Sequence, residues 1–126
     1  MADRPIKVLV VDDEDDIVIE TKEILEKKGF RVFTALDSDA AMDIFKKESP
    51  QICLLDVHMP KSKLGGIEML KEIRSLVEKC YCIMLTRITD KDKIEDARRL
   101  GAKHYVLKPL DYRELMKLMD EAVKAI

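Results

Sequence analysis

The sequence predicts a three-layer α/β domain in which helices cover both faces of a parallel five-stranded sheet. Short apolar runs alternate five times with stretches of helical periodicity, and no internal low-complexity segment interrupts them. This alternation is typical of repeated βα units, whose right-handed crossovers place the strands in one parallel sheet. The length of 126 residues fits one such domain. We therefore expect residues 1–126 to form a single unit.

The first apolar run, Ile6–Val11, is β-branched and nearly continuous. A central parallel strand has this pattern because helices cover both of its faces. The helix that follows is expected to end at Gly29, where glycine can adopt the left-handed conformation of a helix terminus. Its predicted buried stripe consists of Ile17, Thr21, Ile24 and Leu25.

The second unit combines a strand over Arg31–Ala35 with a helix that Asp37 or Ser38 caps. Pro50 closes this unit, and the helix is expected to bury Ala40, Ala41, Ile44 and Phe45. The third strand is Ile52–Leu55, followed by a loop with Pro60 and the glycine pair at 65–66. The next helix is expected to bury Met69, Leu70, Ile73, Leu76 and Val77.

The last two units differ in how firmly their helices are expected to attach. The fourth strand is Cys82–Leu85, and its helix has only a thin apolar stripe of Ile94, Ala97 and Leu100. A helix with so little apolar surface is a natural moving part. The fifth strand is His104–Leu107, and the predicted buried face of the final helix is Leu115, Leu118, Met119, Ala122 and Ile126.

Composition argues against two classes of function. The net charge is −2 and no lysine or arginine run forms a nucleic-acid footprint, so direct DNA or RNA binding is not expected. The segment Met1–Lys7 is too polar for a signal peptide, and no apolar run reaches the roughly 18 residues of a membrane span. A soluble, cytoplasmic protein without membrane insertion is the expectation.

Three cysteines, Cys53, Cys80 and Cys82, fall in or beside predicted strands. Their odd number, the lack of a recognised metal-ligand spacing and the absence of a nearby histidine set favour reduced residues that pack in the core. A reducing compartment is consistent with this interpretation.

Acidic residues close the first strand. Asp12 and Asp13 begin a run of acids that extends to Asp16, and so many carboxylates repel one another unless a cation or a helix N-terminus compensates them. A hard divalent ion with oxygen ligands, most plausibly Mg²⁺, would relieve the repulsion. The alternative is that one aspartate simply caps the next helix.

Three further polar residues follow the other strands at the same predicted edge of the sheet. Asp56 could be a metal ligand and a nucleophile toward phosphorus, although an aspartate after a strand is often a turn former. Thr86 offers a hydroxyl to a phosphoryl oxygen. Lys108, aimed by Pro109, would stabilise the charge on a transferring phosphoryl group, and its alternative is a solvated lysine before a turn.

Over essentially its whole length the chain resembles the receiver domain of two-component response regulators. The residues that carry the resemblance are Asp12, Asp13, Asp56, Thr86 and the Lys108-Pro109 pair, together with the segment 56–60. The resemblance implies a flavodoxin-like fold with strand order 2-1-3-4-5. It also implies Mg²⁺ bound by Asp12, Asp13, Asp56 and the backbone carbonyl of His58.

The resemblance further implies that Asp56 accepts a phosphoryl group from a histidine kinase or phosphotransfer protein, with Thr86 and Lys108 completing the catalytic set. Phosphorylation is then expected to draw Thr86 inward and let the aromatic ring of Tyr105 follow. A strand tyrosine without a switching role is the alternative, because aromatic residues are common in strands. The chain would act as a switch with a downstream protein target, as a monomer or a weak phosphorylation-dependent dimer.

The sequence departs from the family pattern in three places. Gly66 lies farther from Pro60 than is usual, so the intervening loop is longer, and its Lys61 and Lys63 could meet a partner. Arg87 stands where the family has a small residue, which predicts that a cation covers or pairs with the phosphoryl group and slows dephosphorylation. The His58 side chain, at a variable position, is expected to have no catalytic or metal-ligand role.

Three other functions would use parts of the same pattern. The chain could be the receiver portion of a longer regulator, such as a transcription factor or an output enzyme. An Mg²⁺-dependent phosphohydrolase is disfavoured because its general acid would stand two residues after the nucleophile, where this chain has His58. A scaffold that is never phosphorylated would not need every element of the site. We expect no enzymatic activity beyond phosphorylation and dephosphorylation of Asp56 itself.

Overall fold

The computed structural model describes residues 5–87 and 91–126. Residues 1–4, which open the polar segment that argued against a signal peptide, lie outside this description. Five parallel strands form one sheet in the order β2-β1-β3-β4-β5, so the predicted fold is confirmed. The strands are β1 (Lys7–Val11), β2 (Arg31–Ala35), β3 (Ile52–Asp56), β4 (Tyr81–Thr86) and β5 (His104–Leu107).

The three central strands β1, β3 and β4 are buried on both faces. Every residue of β3 and β4 is buried, and in β1 only Lys7 is partly exposed. Burial on both sides explains why these strands are continuous apolar runs rather than alternating ones. Val11 lies beside Leu55 and Asp56 beside Leu85, so the carboxyl ends of the three strands meet at one edge.

Five helices follow the five strands in turn. They are α1 (Asp15–Lys27), α2 (Ser38–Glu48), α3 (Gly66–Leu76), α4 (Lys91–Arg99) and α5 (Tyr112–Ala125). Their inner faces divide the core into two clusters, one on each side of the sheet. None of the described helices is long and apolar enough to cross a bilayer.

The N-terminus of α2 resolves a choice that the sequence left open. Asp37 is the capping residue, and its Oδ1 accepts a hydrogen bond of 2.9 Å from the backbone N–H of Ala40. Ser38 is instead the first residue of the helix and is buried. Its hydroxyl accepts a hydrogen bond from the backbone N–H of Leu64, which ties the helix to the loop after β3.

Several predicted buried faces need correction at their ends. Leu76 and Val77 are 52% and 42% exposed, because α3 ends at Leu76 and the chain leaves the sheet there. Ile126 is exposed for the same reason, at the end of α5. In α1 the predicted Ile17 and Ile24 are only partly buried, and in α2 the predicted Ala40 is exposed and Ile44 only partly buried. The buried residues are Val18, Thr21 and Leu25 in α1 and Ser38, Ala41, Met42 and Phe45 in α2.

Helix α4 is attached as weakly as its sequence predicts. Among its nine residues only Ala97 is buried, while Ile94 and, just beyond the helix, Leu100 are half-buried. By contrast, α5 buries Leu115 and Met119 completely. The apolar area that holds α4 on the sheet is therefore small compared with that of α5.

Candidate functional site

The carboxyl ends of β1, β3 and β5 bring the predicted charged residues together. Asp12 and Asp13 follow β1, Asp56 is the last residue of β3, and Lys108 follows β5. One carboxylate oxygen from each of the three aspartates lies within 4.8 Å of the others. The topology alone explains this convergence, because parallel strands end at the same edge of a sheet.

Lys108 is buried between two carboxylates. Its Nζ lies 2.5 Å from Oδ2 of Asp12 and 3.3 Å from Oδ2 of Asp56, and its side chain is only 4% exposed. The backbone N–H of Lys108 donates to the carbonyl of Thr86, and the Lys108–Pro109 bond is cis. The burial and the two ion pairs of the Lys108 ammonium exclude the alternative of a solvated lysine before a turn.

Asp12 is completely buried and does not cap α1. Its Oδ1 accepts a hydrogen bond of 2.9 Å from the backbone N–H of Glu14, and Glu14 is the capping residue, without a side-chain hydrogen bond. The other oxygen, Oδ2, is paired with the Lys108 ammonium and accepts no other hydrogen bond. A buried carboxylate oxygen with spare acceptor capacity is suited to a cation. Helix capping therefore does not explain this acidic pair.

Burial and the neighbouring charge of Asp12 raise the pKa of Asp56 to about 7, although Lys108 acts in the opposite direction. The backbone N–H of His58 gives Asp56 only a long contact of 3.4 Å. The Asp12 and Asp56 carboxylates together carry more negative charge than the single Lys108 ammonium compensates. A bound cation would relieve that excess and favour the ionised form of Asp56.

A cavity of about 280 Å³ opens above these carboxylates, with a volume suited to a small anionic group. Its lining includes Asp13, Glu14, Asp56, His58, Pro60, Arg87 and Lys108. At its rim the guanidinium of Arg87 forms an ion pair with Glu14. Arg87 thus lies close enough to cover the cavity, as its position predicts, but its partner is a glutamate that the sequence did not single out.

Thr86 and Tyr105 lie on the two neighbouring strands β4 and β5. Thr86 is buried at the end of β4, beside Leu107, whereas Tyr105 is 46% exposed. Tyr105 also lines a cavity of about 560 Å³ between α4, β5 and α5, together with Ile94 and Leu118. The ring therefore has room to change its position, and the adjacent helix is the weakly attached α4.

The long loop between Pro60 and α3 is fixed at both of its ends. The Ser62 hydroxyl accepts a hydrogen bond of 2.8 Å from the backbone N–H of Ser38, while Lys61 and Lys63 are exposed. A Cβ on Gly66 would lie 2.1 Å from the carbonyl oxygen of Asp56. Glycine is thus required where α3 packs directly on the end of β3.

Sequence reasoning missed Glu14 and the Ser38–Ser62 contact. Glu14 is hidden within a run of acids, and only the opposing Arg87 could have singled it out. The two serines are 24 residues apart, and no local pattern connects them. Both contacts depend on how loops from different strands approach each other.

Comparison with known proteins identifies the family that has this geometry. The family model for the response regulator receiver domain matches residues 8–120, which include every residue of the pocket. The chain belongs to this family. Sporulation initiation phosphotransferase F of Bacillus subtilis (strain 168) is 36% identical over 109 residues, which are 86% of each chain. The resemblance noted in the sequence is thereby confirmed.

Longer relatives share only this unit. Regulatory protein AtoC of Escherichia coli (strain K12) is 31% identical over 94% of this chain but only 25% of its own length. The crystal structure of NtrX from Brucella abortus with ADP has a TM-score of 0.89 at 28% identity, covering 96% of this chain and 27% of that chain. A CheY-like receiver domain protein from Methanospirillum hungatei has the same TM-score at 26% identity, over 97% of both chains.

Family membership establishes the general function. Receiver domains are phosphorylation-dependent signalling switches of two-component systems, and they interact with histidine kinases or phosphotransfer proteins. They generally bind Mg²⁺ at an acidic pocket, and the cluster of Asp12, Asp13 and Asp56 matches such a pocket.

Proposed function

We propose that this chain, residues 1–126, is a receiver switch in which Asp56 accepts a phosphoryl group from a phosphohistidine of a partner kinase or phosphotransfer protein. The observation that supports the assignment most strongly is the position of Asp56 at the base of the 280 Å³ cavity, 3.3 Å from the ammonium of Lys108. A nucleophile for phosphorus must face an open space of this kind, with a cation beside it.

In the proposed reaction the ionised Asp56 carboxylate attacks phosphorus. A new oxygen–phosphorus bond forms while the phosphorus–nitrogen bond of the donor breaks, and the imidazole keeps that electron pair and takes up a proton. Lys108 stabilises the charge spread over the phosphoryl oxygens. Thr86, buried at the end of β4, is assigned the role of hydrogen-bond donor to one of those oxygens. Water later hydrolyses the acyl phosphate.

The acidic pocket fits Mg²⁺. Asp12, Asp13, Asp56 and the backbone carbonyl of His58 are the proposed ligands, all of them oxygen donors of the kind this ion prefers. Oδ2 of Asp12 has Lys108 as its single partner, and one ammonium only partly compensates the charge of the three clustered carboxylates. When bound, the ion supplies positive charge to the phosphoryl oxygens.

The proposed output is a change in the surface formed by α4, β5 and α5. Thr86 would move toward the phosphoryl group, and the half-exposed Tyr105 would follow into the space beside it. Helix α4, held by a single buried residue, is the element with two available positions. A downstream protein reads this surface. We propose a cytoplasmic location and a monomer, or a weak dimer after phosphorylation.

The same chemistry would serve a receiver unit within a longer regulator. AtoC and NtrX, of which this chain covers about a quarter, illustrate that arrangement. The length of the complete gene distinguishes the two cases.

Intact-mass measurement after incubation with acetyl phosphate and Mg²⁺ tests the proposal. We expect a gain of one labile phosphoryl group that Asp56→Asn and EDTA each abolish. If the Asp56→Asn variant gains the group as readily as the parent protein, the assignment of Asp56 is wrong. If the parent gains none from acetyl phosphate or from a panel of phosphohistidine proteins, the proposed function is wrong.

A further inference from the structure

The three cysteines form one cluster at the end of the sheet opposite the acidic pocket. Cys53 is the second residue of β3, Cys82 the second residue of β4, and Cys80 immediately precedes β4. These are the only cysteines of the chain, and all three sulfur atoms lie within 4.8 Å of one another. The chain thus concentrates all of its thiols at one point of the core.

The β-sheet register explains the convergence. Cys53 and Cys82 are direct partners on adjacent strands, so their side chains leave the sheet on the same face. Cys80 lies two residues before Cys82 and therefore points to that face as well. All three side chains belong to the same core cluster, and none is more than 2% exposed.

The distances fit a single metal ion better than a disulfide. A metal bound to three sulfurs at about 2.3 Å requires sulfur separations of about 3.8 to 4.0 Å. The sulfurs of Cys53 and Cys80 are 3.5 Å apart. A disulfide would require two sulfurs at about 2.05 Å, much closer than this contact, and all three cysteines are free. Small side-chain rotations would bring the three sulfurs to the separations that one metal ion requires.

The surroundings provide charge compensation and an entry route. Arg74 donates a hydrogen bond of 3.0 Å to the carbonyl of Cys80, which places its positive charge beside the sulfurs. Cys80 and Arg74 also line a surface cavity of about 770 Å³ at this end of the sheet, together with Gln51 and Val77. A metal site needs such a supporting residue and such an opening.

The ligand set selects the ion. Among the described residues, no histidine, aspartate or glutamate joins the three sulfurs. Structural zinc is almost always four-coordinate, so three ligands in a buried apolar setting suit it poorly. Soft sulfur ligands alone suit Cu(I), which is stable with three of them.

We propose that Cys53, Cys80 and Cys82 form a trigonal sulfur site for one Cu(I) ion. Binding replaces thiol protons with the metal, so protons are released as the ion enters. The ion links β3 to the start of β4, and it stabilises the folded chain because the unfolded chain lacks the preformed site. This proposal is independent of phosphorylation at Asp56, because the two sites share no residue.

An anaerobic titration of the reduced full chain with Cu(I), in competition with bathocuproine disulfonate, tests the site. We expect the protein to withdraw one Cu(I) per chain from the chromophore. Serine substitution of any one cysteine should weaken binding by about tenfold or more. The Asp56→Asn variant, which changes the acidic pocket and keeps the sulfurs, should bind Cu(I) as the parent does.

X-ray absorption of the copper complex supplies a readout that does not depend on variants that could fail to fold. Three sulfur neighbours at about 2.3 Å are expected. Nitrogen or oxygen neighbours, or uptake unchanged in a Cys53→Ala, Cys80→Ala, Cys82→Ala triple variant, would overturn the proposal. A parallel titration with Zn(II) and a zinc chromophore completes the test, since tighter retention of Zn(II) would contradict the assignment of Cu(I).

Discussion

The two ends of the sheet carry opposite kinds of ligand. At the carboxyl ends of the strands, three aspartates and one lysine offer hard oxygen atoms and a fixed positive charge. At the amino ends of β3 and β4, three cysteines offer soft sulfur atoms in an apolar setting. The first group suits Mg²⁺ and phosphoryl chemistry, and the second suits a thiophilic ion.

The difference lies in how each group is assembled. The acidic pocket uses residues at strand ends, where the chain emerges from the core and side chains meet an open cavity. The cysteine cluster uses a strand interior and the residue before a strand, so its atoms are packed away from solvent. The pocket is suited to a ligand that exchanges with solvent, whereas the cluster is suited to an ion held in the core. We therefore expect changes at one end to leave the other intact.

We expect the largest effect for Lys108→Met, on the rate at which the protein is phosphorylated. Without the ammonium, the two buried carboxylates lose their counter-charge and the phosphoryl oxygens lose a stabilising contact. The initial rate of phosphoryl gain from acetyl phosphate should fall by about 10²-fold. Lys103→Met removes an exposed lysine just before β5 and is the matched control. Equal rates in the two variants would refute the role of Lys108.

A large effect on stability is expected for Gly66→Ala. The new Cβ would lie 2.1 Å from the carbonyl oxygen of Asp56, and this is backbone that cannot move aside. Urea unfolding should show a loss of about 1–3 kcal/mol. At Gly65 the nearest atom to an added Cβ is the flexible Glu68 side chain at 3.0 Å, so Gly65→Ala should cost less. A smaller loss at Gly66 than at Gly65 would contradict this packing.

The pH dependence of stability should reveal the raised pKa of Asp56. Between about pH 4 and pH 7 the folded chain holds a proton on Asp56 that the unfolded chain has released, because the pKa is about 7 when folded and 3.8 when unfolded. Folding stability contributed by this group is therefore lost as pH rises toward 7. In metal-free buffer the advantage of Asp56→Asn over the parent should grow across this window, as measured by urea unfolding. If the difference in unfolding free energy between Asp56→Asn and the parent stays constant from about pH 4 to pH 7, the pKa of Asp56 is not raised.

We expect the smallest effect for Arg87→Ala, on the lifetime of the acyl phosphate. The ion pair between Arg87 and Glu14 is largely exposed and so contributes little energy, but at the cavity lining it would hinder the approach of water to a phosphoryl group. The acyl-phosphate lifetime should shorten, by no more than about fivefold. Glu14→Gln removes the partner and should change the lifetime in the same direction. An unchanged lifetime in Arg87→Ala would mean that this residue does not shield the phosphoryl group.

The same contrast explains what the sequence could predict. Asp12, Asp56 and Lys108 follow apolar strands, and the topology of a parallel sheet brings strand ends together without any knowledge of register. The cysteine cluster depends on the pairing of Cys53 with Cys82, which periodicity does not reveal. The three cysteines are buried and form no disulfide, as the sequence predicts, but the sequence did not predict their proximity. The C-x-C spacing at 80–82 was the available signal.

Helix ends were also beyond prediction. Leu76, Val77 and Ile126 continue apolar stripes in the sequence, yet they are exposed because they lie at or just beyond the ends of α3 and α5. The choice of Asp37 over Ser38 as cap depends on the loop that occupies Ser38. Both features are set by tertiary contacts, and local patterns do not encode them.

The most direct test of the account is to locate the phosphoryl group. Borohydride reduces an aspartyl phosphate to homoserine, and peptide mass spectrometry then identifies the modified position. After treatment with acetyl phosphate and Mg²⁺, we predict homoserine at position 56 and at no other aspartate. Homoserine at position 12 or 13, with Asp56 unmodified, would contradict the account.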